Sequence, residues 1–363
     1  MSDRTGYDRI IGQALAKRVL GKAVSENRIA HAYLFLGLQG TGKLTTAVEF
    51  GKALNCENMQ DGQACGKCAV CNAIAHGNFP DMRIWSPKGQ DTTIDSMREM
   101  RDRASFRPAR GKWVVNIIEQ GDTLNEDSAN CILKLLEEPP DYVVNILLYR
   151  NPASILPTIR SRCQLIRFEQ VSTDELAARL IDDYDATDAE AELLSVYSQG
   201  RPGVAIRLLD DDTFVRRREV IANIAEKSAS SNAWAALMLA ENLRGSDLVQ
   251  KTAEEDGDEE VEKDTKSRSS AQRPGAREAT IESLDMLLVW YRDLLAAKLQ
   301  GPEASVVNSD KRELLFQQAG YYAHGGHLLT RIEDILQARR RIRGNGNPQI
   351  VTEHLMMRLS LGS

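Results

Sequence analysis

The sequence predicts an α/β domain, a parallel sheet with helices on both faces, followed by a small helical unit and an all-helical C-terminal domain. Three observations predict it. Helix and strand patterns alternate from Ile10 to about Phe168, the order that sets parallel strands side by side with helices packed over them. Residues 143–148 form a continuous apolar run, as in a central parallel strand covered on both sides. Beyond residue 172 the apolar residues recur at three-to-four spacing, which is helical periodicity.

In chain order, a helix is expected near residues 14–27 and a short apolar strand at 32–36, then helical periodicity over 45–54. Strands at 82–85 and 113–118 flank a helix near 94–105. Asn125 is placed to cap the next helix, with Glu126 and Asp127 favourable in its first turn. Ile132, Leu133, Leu135 and Leu136 give that helix a buried face, and Pro139-Pro140 stops it. A strand at 164–168 completes the first domain, 1–170. The second, 171–209, holds helices at 173–183 and 188–199 and the punctuation Gly200-Arg201-Pro202-Gly203. The third, 210–363, has helices around 214–243 and from 281 to 359. It is interrupted at about 245–280 by a stretch that includes Glu254-Glu255-Asp256-Gly257-Asp258-Glu259-Glu260 and almost no large apolar side chain. Such a segment cannot bury enough surface to offset its ordering entropy, so a disordered acidic insertion is expected.

Between the first strand and its helix, residues 37–45 read Gly-Leu-Gln-Gly-Thr-Gly-Lys-Leu-Thr. Gly37, Gly40, Thr41, Gly42 and Lys43 form a phosphate-cradling loop, in which backbone N–H groups close on phosphates and the lysine reaches the β and γ oxygens. The next position normally supplies a hydroxyl to Mg²⁺. Leu44 cannot. Thr45 belongs to the loop but lies about 100° further round the helix axis, so its hydroxyl is not a replacement. The strand at 113–118 leads into Glu119-Gln120-Gly121-Asp122, where a working site needs an acid for the metal and a neighbouring group to orient the attacking water. Glu119 is one methylene longer than the usual metal-holding Asp, and Gln120 is neutral at every pH. The loop is therefore expected to permit ATP or ADP binding without hydrolysis.

Four of six cysteines, Cys56, Cys65, Cys68 and Cys71, lie within 16 residues. Four thiolates this close suit a tetrahedral Zn²⁺, with no position left open for water, so a structural site is expected. Gly66 and Lys67 favour the tight turn between the second and third thiols. Cys131 and Cys163 are isolated and expected to pack. The net charge of −6 argues against general attraction to nucleic-acid phosphates. No apolar run is long enough for a membrane span and Met1-Ser2-Asp3-Arg4 lacks secretory character, so a cytoplasmic location is expected.

Taken together, Ile11-Gly12-Gln13, the glycine-rich loop, the four cysteines, Leu133-Lys134-Leu135-Leu136-Glu137-Glu138-Pro139-Pro140 and Ser161-Arg162-Cys163 resemble the subunits of bacterial DNA polymerase III clamp loaders. The altered loop and acidic strand, the retained Ser161-Arg162-Cys163 and the ending Asn345-Gly346-Asn347-Pro348 before a final helix resemble the delta-prime branch. The resemblance implies an AAA+ domain, a helical lid and a collar that joins gamma/tau and delta subunits in a five-membered ring, acting on a sliding clamp and primed DNA. It implies that Arg162 is an arginine finger reaching a neighbour's nucleotide, with Arg160 as the competing candidate. It also implies that Gly203 stands where active subunits carry a sensor arginine, and Tyr149-Arg150-Asn151 where they carry a small polar sensor. The alternatives are an active gamma/tau-type ATPase and a zinc-dependent nucleic-acid-binding module. The basic run Arg339-Arg340-Arg341-Ile342-Arg343 is read as a solvated helix face, and His31 as a residue at the start of a strand.

Overall fold

The computed structural model describes residues 4–87, 94–228, 232–244 and 276–360. It divides into two compact units, Met1–Leu209 and Asp210–Ser363. The first is built on five parallel strands, β1 (Ala32–Leu36), β2 (Met82–Trp85), β3 (Val114–Ile118), β4 (Val143–Tyr149) and β5 (Gln164–Arg167), in the order β2-β3-β4-β1-β5. Side chains alternate across each strand. Tyr33, Phe35, Val144, Ile146 and Leu148 therefore meet one set of helices, α1 (Ala14–Ser25), α2 (Lys43–Asn55) and α3 (Ala69–Ala75). Ala32, Leu34, Val143, Leu147 and Tyr149 meet the other, α4 (Ile94–Ala104), α5 (Glu126–Glu137) and α6 (Pro157–Arg160). This is the expected α/β class, a parallel sheet with helices on both faces.

One buried feature departs from the apolar reading of β4. Asn145 is fully buried in mid-strand and accepts from Asn116 Nδ2 at 3.1 Å, while Asn116 Oδ1 accepts from Trp85 Nε1 at 3.2 Å. This rung of side-chain hydrogen bonds crosses β2, β3 and β4.

Three further helices complete the first unit: α7 (Thr173–Tyr184), α8 (Asp188–Tyr197) and α9 (Pro202–Leu209). Ser172 caps α7, and Thr187 with Glu190 forms a capping box on α8. The described elements of the second unit are all helices. Its helices are α10 (Phe214–Ser228), α11 (Ala233–Leu243), α12 (Ala276–Gln300), α13 (Arg312–Ala319), α14 (Gly325–Arg343) and α15 (Pro348–Ser360). The long α12 packs on α10, α13 and α14. Inside, Asp293 is fully buried and accepts from Val307 N, Asn308 N and Asn308 Nδ2.

Most of the acidic insertion expected at 245–280 lies outside the described residues. Its last five residues begin α12, so the helical domain resumes earlier than composition alone suggests. Arg339, in the basic run of α14, is partly buried against Asp285 at 2.8 Å, whereas Arg340, Arg341 and Arg343 are exposed. No helix among the described residues is long and apolar enough to cross a membrane.

Candidate nucleotide site and cysteine cluster

The glycine-rich loop connects the C-terminal end of β1 to α2, with Gly40 and Gly42 at φ of +84° and +92°. Only glycine adopts such values without cost. Gly42 is the N-cap of α2. Lys43 is 8% exposed, and its ammonium donates to Gly37 O at 2.5 Å and Leu38 O at 2.7 Å. Burial lowers its pKa to about 8, with nearby Asp122 opposing that shift and Arg150 adding to it. Leu44 packs against the apolar cluster that contains α1, α2 and β1, and Thr45 is exposed. Thr46, one residue on, spends its hydroxyl on Gly42 O at 2.8 Å. The residue beside Lys43 thus serves the core and offers no oxygen to a metal.

Above the loop lies a cavity of about 280 Å³ lined by Lys43, Leu44, Glu119, Gln120, Arg150 and Arg207, among others. Glu119 accepts from Ser86 Oγ at 2.5 Å, so one carboxylate oxygen is already committed. Arg150 reaches across the loop mouth to Gln39 Oε1 at 3.2 Å. Its position is set by Asp122, whose carboxylate accepts from the backbone N–H groups of Arg150 and Asn151 and from Ser154 Oγ. Gly203 N donates to Gly40 O at 2.8 Å, and a Cβ on Gly203 would lie 3.3 Å from Gly40 Cα. At Gly203 the backbone of α9 rests directly on the loop. Gln13 holds the loop from the other side, donating to Thr41 O and Glu169 O.

Of the expected site residues, Gly40, Gly42, Lys43, Thr45 and Glu119 line this cavity, whereas Gly37 accepts from the Lys43 ammonium and Thr41 is fully buried in the loop. Sequence reasoning missed Arg207 as a cavity residue. Its signal was present, since it follows Gly203 by four residues and so shares its helix face. Asp122 as organiser of the Arg150 turn carried no sequence signal, because its partners lie 28 to 32 residues away.

Arg162 is separate from this cavity. It follows α6 and precedes β5, whose register pairs Gln164 with Tyr33 and Arg167 with Leu36. The phosphate loop leaves the C-terminal end of β1, whereas Arg162 sits at the N-terminal end of the neighbouring strand. At about 3.3 Å per residue, the length of the strand separates them. The Arg162 guanidinium is about one-third exposed, pairs with Glu137 at 2.8 Å and donates to Thr158 O at 3.0 Å. Arg160 is exposed on the last turn of α6.

The four cysteine sulfurs all lie within 4.8 Å of one another, with Cys56–Cys68 at 4.0 Å and Cys56–Cys71 at 3.7 Å. A tetrahedral site with Zn–S bonds of about 2.3 Å requires sulfurs about 3.8 Å apart. The donor set therefore fits a zinc-sized ion. Backbone N–H groups of Cys65, Cys68 and Cys71 point at the sulfurs of Cys56, Cys65 and Cys68. The Lys67 N–H contributes most to lowering the Cys65 pKa to about 7, while burial pushes Cys56 and Cys71 up. Such buried thiols become stable thiolates only with a cation among them. Cys131 and Cys163 pack in the apolar cluster on the other sheet face, and burial pushes the Cys163 thiol up to about 12.

Residues 12–172 match a family model described as DNA polymerase III, delta subunit. The chain is 27% identical to DNA polymerase III subunit delta' of Bacillus subtilis over 351 residues, 96% of this chain and 97% of that one. It is 30% identical to subunit gamma of Buchnera aphidicola subsp. Schizaphis graminum, over 65% of this chain and 67% of that one. Similarity to subunit tau of Bacillus subtilis is 32% identity over 56% of this chain, which spans only 37% of that relative's length. With the glycine-rich loop, the acidic strand and the cysteine cluster in one parallel-sheet unit, and relatives matched across both units, this chain belongs to the DNA polymerase III clamp-loader family.

Proposed function

We propose that this chain is a non-hydrolysing, delta-prime-type clamp-loader subunit. It works in the cytoplasm within a five-membered ring of gamma/tau and delta subunits that loads a sliding clamp onto primed DNA. In this reading residues 1–170 form the AAA+ domain, 171–209 its lid and 210–363 the collar that joins the ring. The observation that carries it is the composition of the cavity: Leu44, beside Lys43, packs on the core and offers the cavity no oxygen, and the neutral Gln120 follows Glu119. Hydrolysis needs a metal-bound phosphate and an oriented water, and both positions are altered. Lys43, Thr41, Thr45 and the loop glycines would hold the phosphates of ATP or ADP if nucleotide enters, with Glu119 at the edge.

The catalytic contribution is made in trans. Arg162 lies at the sheet edge opposite this chain's own loop and is solvent-accessible, as a group offered to a neighbour must be. Cys56, Cys65, Cys68 and Cys71 hold Zn²⁺, which supplies a covalent-strength tie within the 56–71 loop and no chemistry. The tie fixes chain geometry.

The test is reconstitution. The purified chain alone should release no phosphate from Mg-ATP above background, while clamp loading by the rebuilt complex should require it. Magnesium-dependent turnover by the isolated chain, abolished by Lys43→Ala, would instead establish a gamma/tau-type ATPase.

A further inference from the structure

The cysteine loop is packed against the N-terminal segment, and that segment is tied to the lid. Gly66, at φ +69° between Cys65 and Cys68, abuts Thr5 so closely that a Cβ there would lie 2.8 Å from Thr5 Cγ2. A Cβ on Gly6 would meet Ala64 O and Gln63 Oε1 at 3.1 Å. Tyr7 is 3% exposed and shares one apolar cluster with Ala64, Cys56, Cys68 and Cys71. On its other side the segment meets α7. Arg4 Nε lies 2.7 Å from the Asp183 carboxylate, which is 6% exposed, and Arg179 bonds the same carboxylate at 2.6 Å. Arg179 also donates to Asp8 O at 2.9 Å.

We propose that the metal-loaded cysteine cluster braces the lid: it fixes residues 4–10, and these in turn hold α7 in place. The path is continuous, from the sulfurs to Gly66, to Thr5, to Arg4 and to Asp183. The steps are a close packing contact, a peptide link and an ion pair whose Asp183 carboxylate is buried while Arg4 is about one-third exposed, and leaving that carboxylate without partners is costly. Without the ion, only weak sulfur hydrogen bonds and apolar packing join Cys56 to the Cys65–Cys71 turn, and the surface that backs Thr5 and Gly6 is held less firmly. The lid would then be held to the sheet unit chiefly by Gln170 Nε2 to Gln199 O and by Gly203 N to Gly40 O.

Hydrogen exchange of the full chain tests this, read at residues 4–10, at α7 and, for reference, at α5. Stripping the metal by chelation should speed exchange in 4–10 and α7 about tenfold, with α5 unchanged and Zn²⁺ alone restoring protection. Faster exchange confined to residues 56–77 overturns the proposal. Arg4→Met combined with Arg179→Met gives a second arm, because it severs the segment from α7 without touching a thiol. That variant should keep its metal, show faster exchange in α7, and gain nothing further there on chelation. An α7 that stays protected in the variant, or that still responds to chelation as the wild type does, also overturns it. The inference rests on the zinc reading, and metal analysis of the same samples separates the two. A metal-free chain with α7 protected rejects both, whereas a loaded chain whose α7 ignores chelation rejects the brace alone.

Discussion

At the level of single residues, Lys43 shows how a phosphate loop behaves when its lysine bonds to its own carbonyls. The ammonium is buried, and its folded pKa of about 8 lies below the ordinary 10.5. The charged form is thus disfavoured by folding. Between about pH 8 and 10.5 the folded chain gives up this proton while the unfolded chain keeps it, so stability from this group rises with pH across that window. Arg150 lowers the value and Asp122 raises it. Arg150→Met is therefore expected to move the Lys43 midpoint up and Asp122→Asn to move it down, as read by NMR of the lysine side chain. A midpoint that falls in Arg150→Met would refute the electrostatic coupling across the loop mouth. The sequence made Lys43, Leu44 and Gln120 legible because their meaning depends on neighbours within a few positions. Arg207 was not assigned to the cavity although its spacing from Gly203 carried the signal, and the placing of Arg150 against Gln39 and Asp122 depends on long-range folding.

Element boundaries were legible wherever a local signal exists. Asn125 caps α5 through Ser128 N, and Pro139-Pro140 follows its end, both as expected. What the pattern could not give is how loops are pinned. Asp81 is 6% exposed just before β2, and its carboxylate accepts from Ala109, Arg110 and Gly111 N–H, each at 2.7 Å. The turn leading to β3 is thus built on a side chain 28 to 30 residues away. Asp81→Ala leaves those donors without their acceptor and is expected to cost about 2 to 3 kcal/mol, seen as a lowered midpoint in urea. Asp81→Asn, which keeps one acceptor oxygen, should cost less. An Ala variant as stable as wild type would mean that water replaces the carboxylate fully. The buried Asn116–Asn145 pair is illegible for the same reason: each asparagine interrupts an apolar strand, and only the register of β3 and β4 shows that Asn116 Nδ2 reaches Asn145 Oδ1.

The cysteine cluster is an element of a different kind, four sulfurs within 4.8 Å of one another that could hold a metal ion where other elements have a ladder of hydrogen bonds. Its spacing was readable because ligand geometry is local, with all four sulfurs within 16 residues. We expect about one equivalent of zinc in protein purified without added metal. Cys71→Ser should remove it and lower the melting temperature, since a structural zinc contributes directly to folding. A near-zero metal content in a chain of normal stability would reject the zinc site.

For the whole molecule, the parallel order β2-β3-β4-β1-β5 sets the functional logic. It places the phosphate loop at one end of β1 and Arg162 at the opposite end of the adjacent β5. An arginine there lies away from the chain's own phosphate loop, and in the proposed reading it serves that of a neighbour. In the isolated chain it pairs with Glu137, which is half exposed. Such a surface pair contributes little, about 0 to 1 kcal/mol, so it does not hold the arginine against a stronger phosphate contact. Arg162→Ala should therefore leave the fold and ring assembly intact and lower ATP hydrolysis by the assembled complex. A finger contributes about 10³ to 10⁵ in rate at the site it serves. With only one of several sites affected, the total ATPase should fall in part, and clamp loading further if the sites act in concert. Clamp- and DNA-stimulated ATPase of complexes rebuilt with wild-type, Arg162→Ala and Arg160→Ala subunits decides the matter. A loss with Arg160→Ala instead of Arg162→Ala would transfer the role to the other arginine. Unchanged ATPase and loading in both variants, with assembly verified, would show that this chain contributes architecture alone.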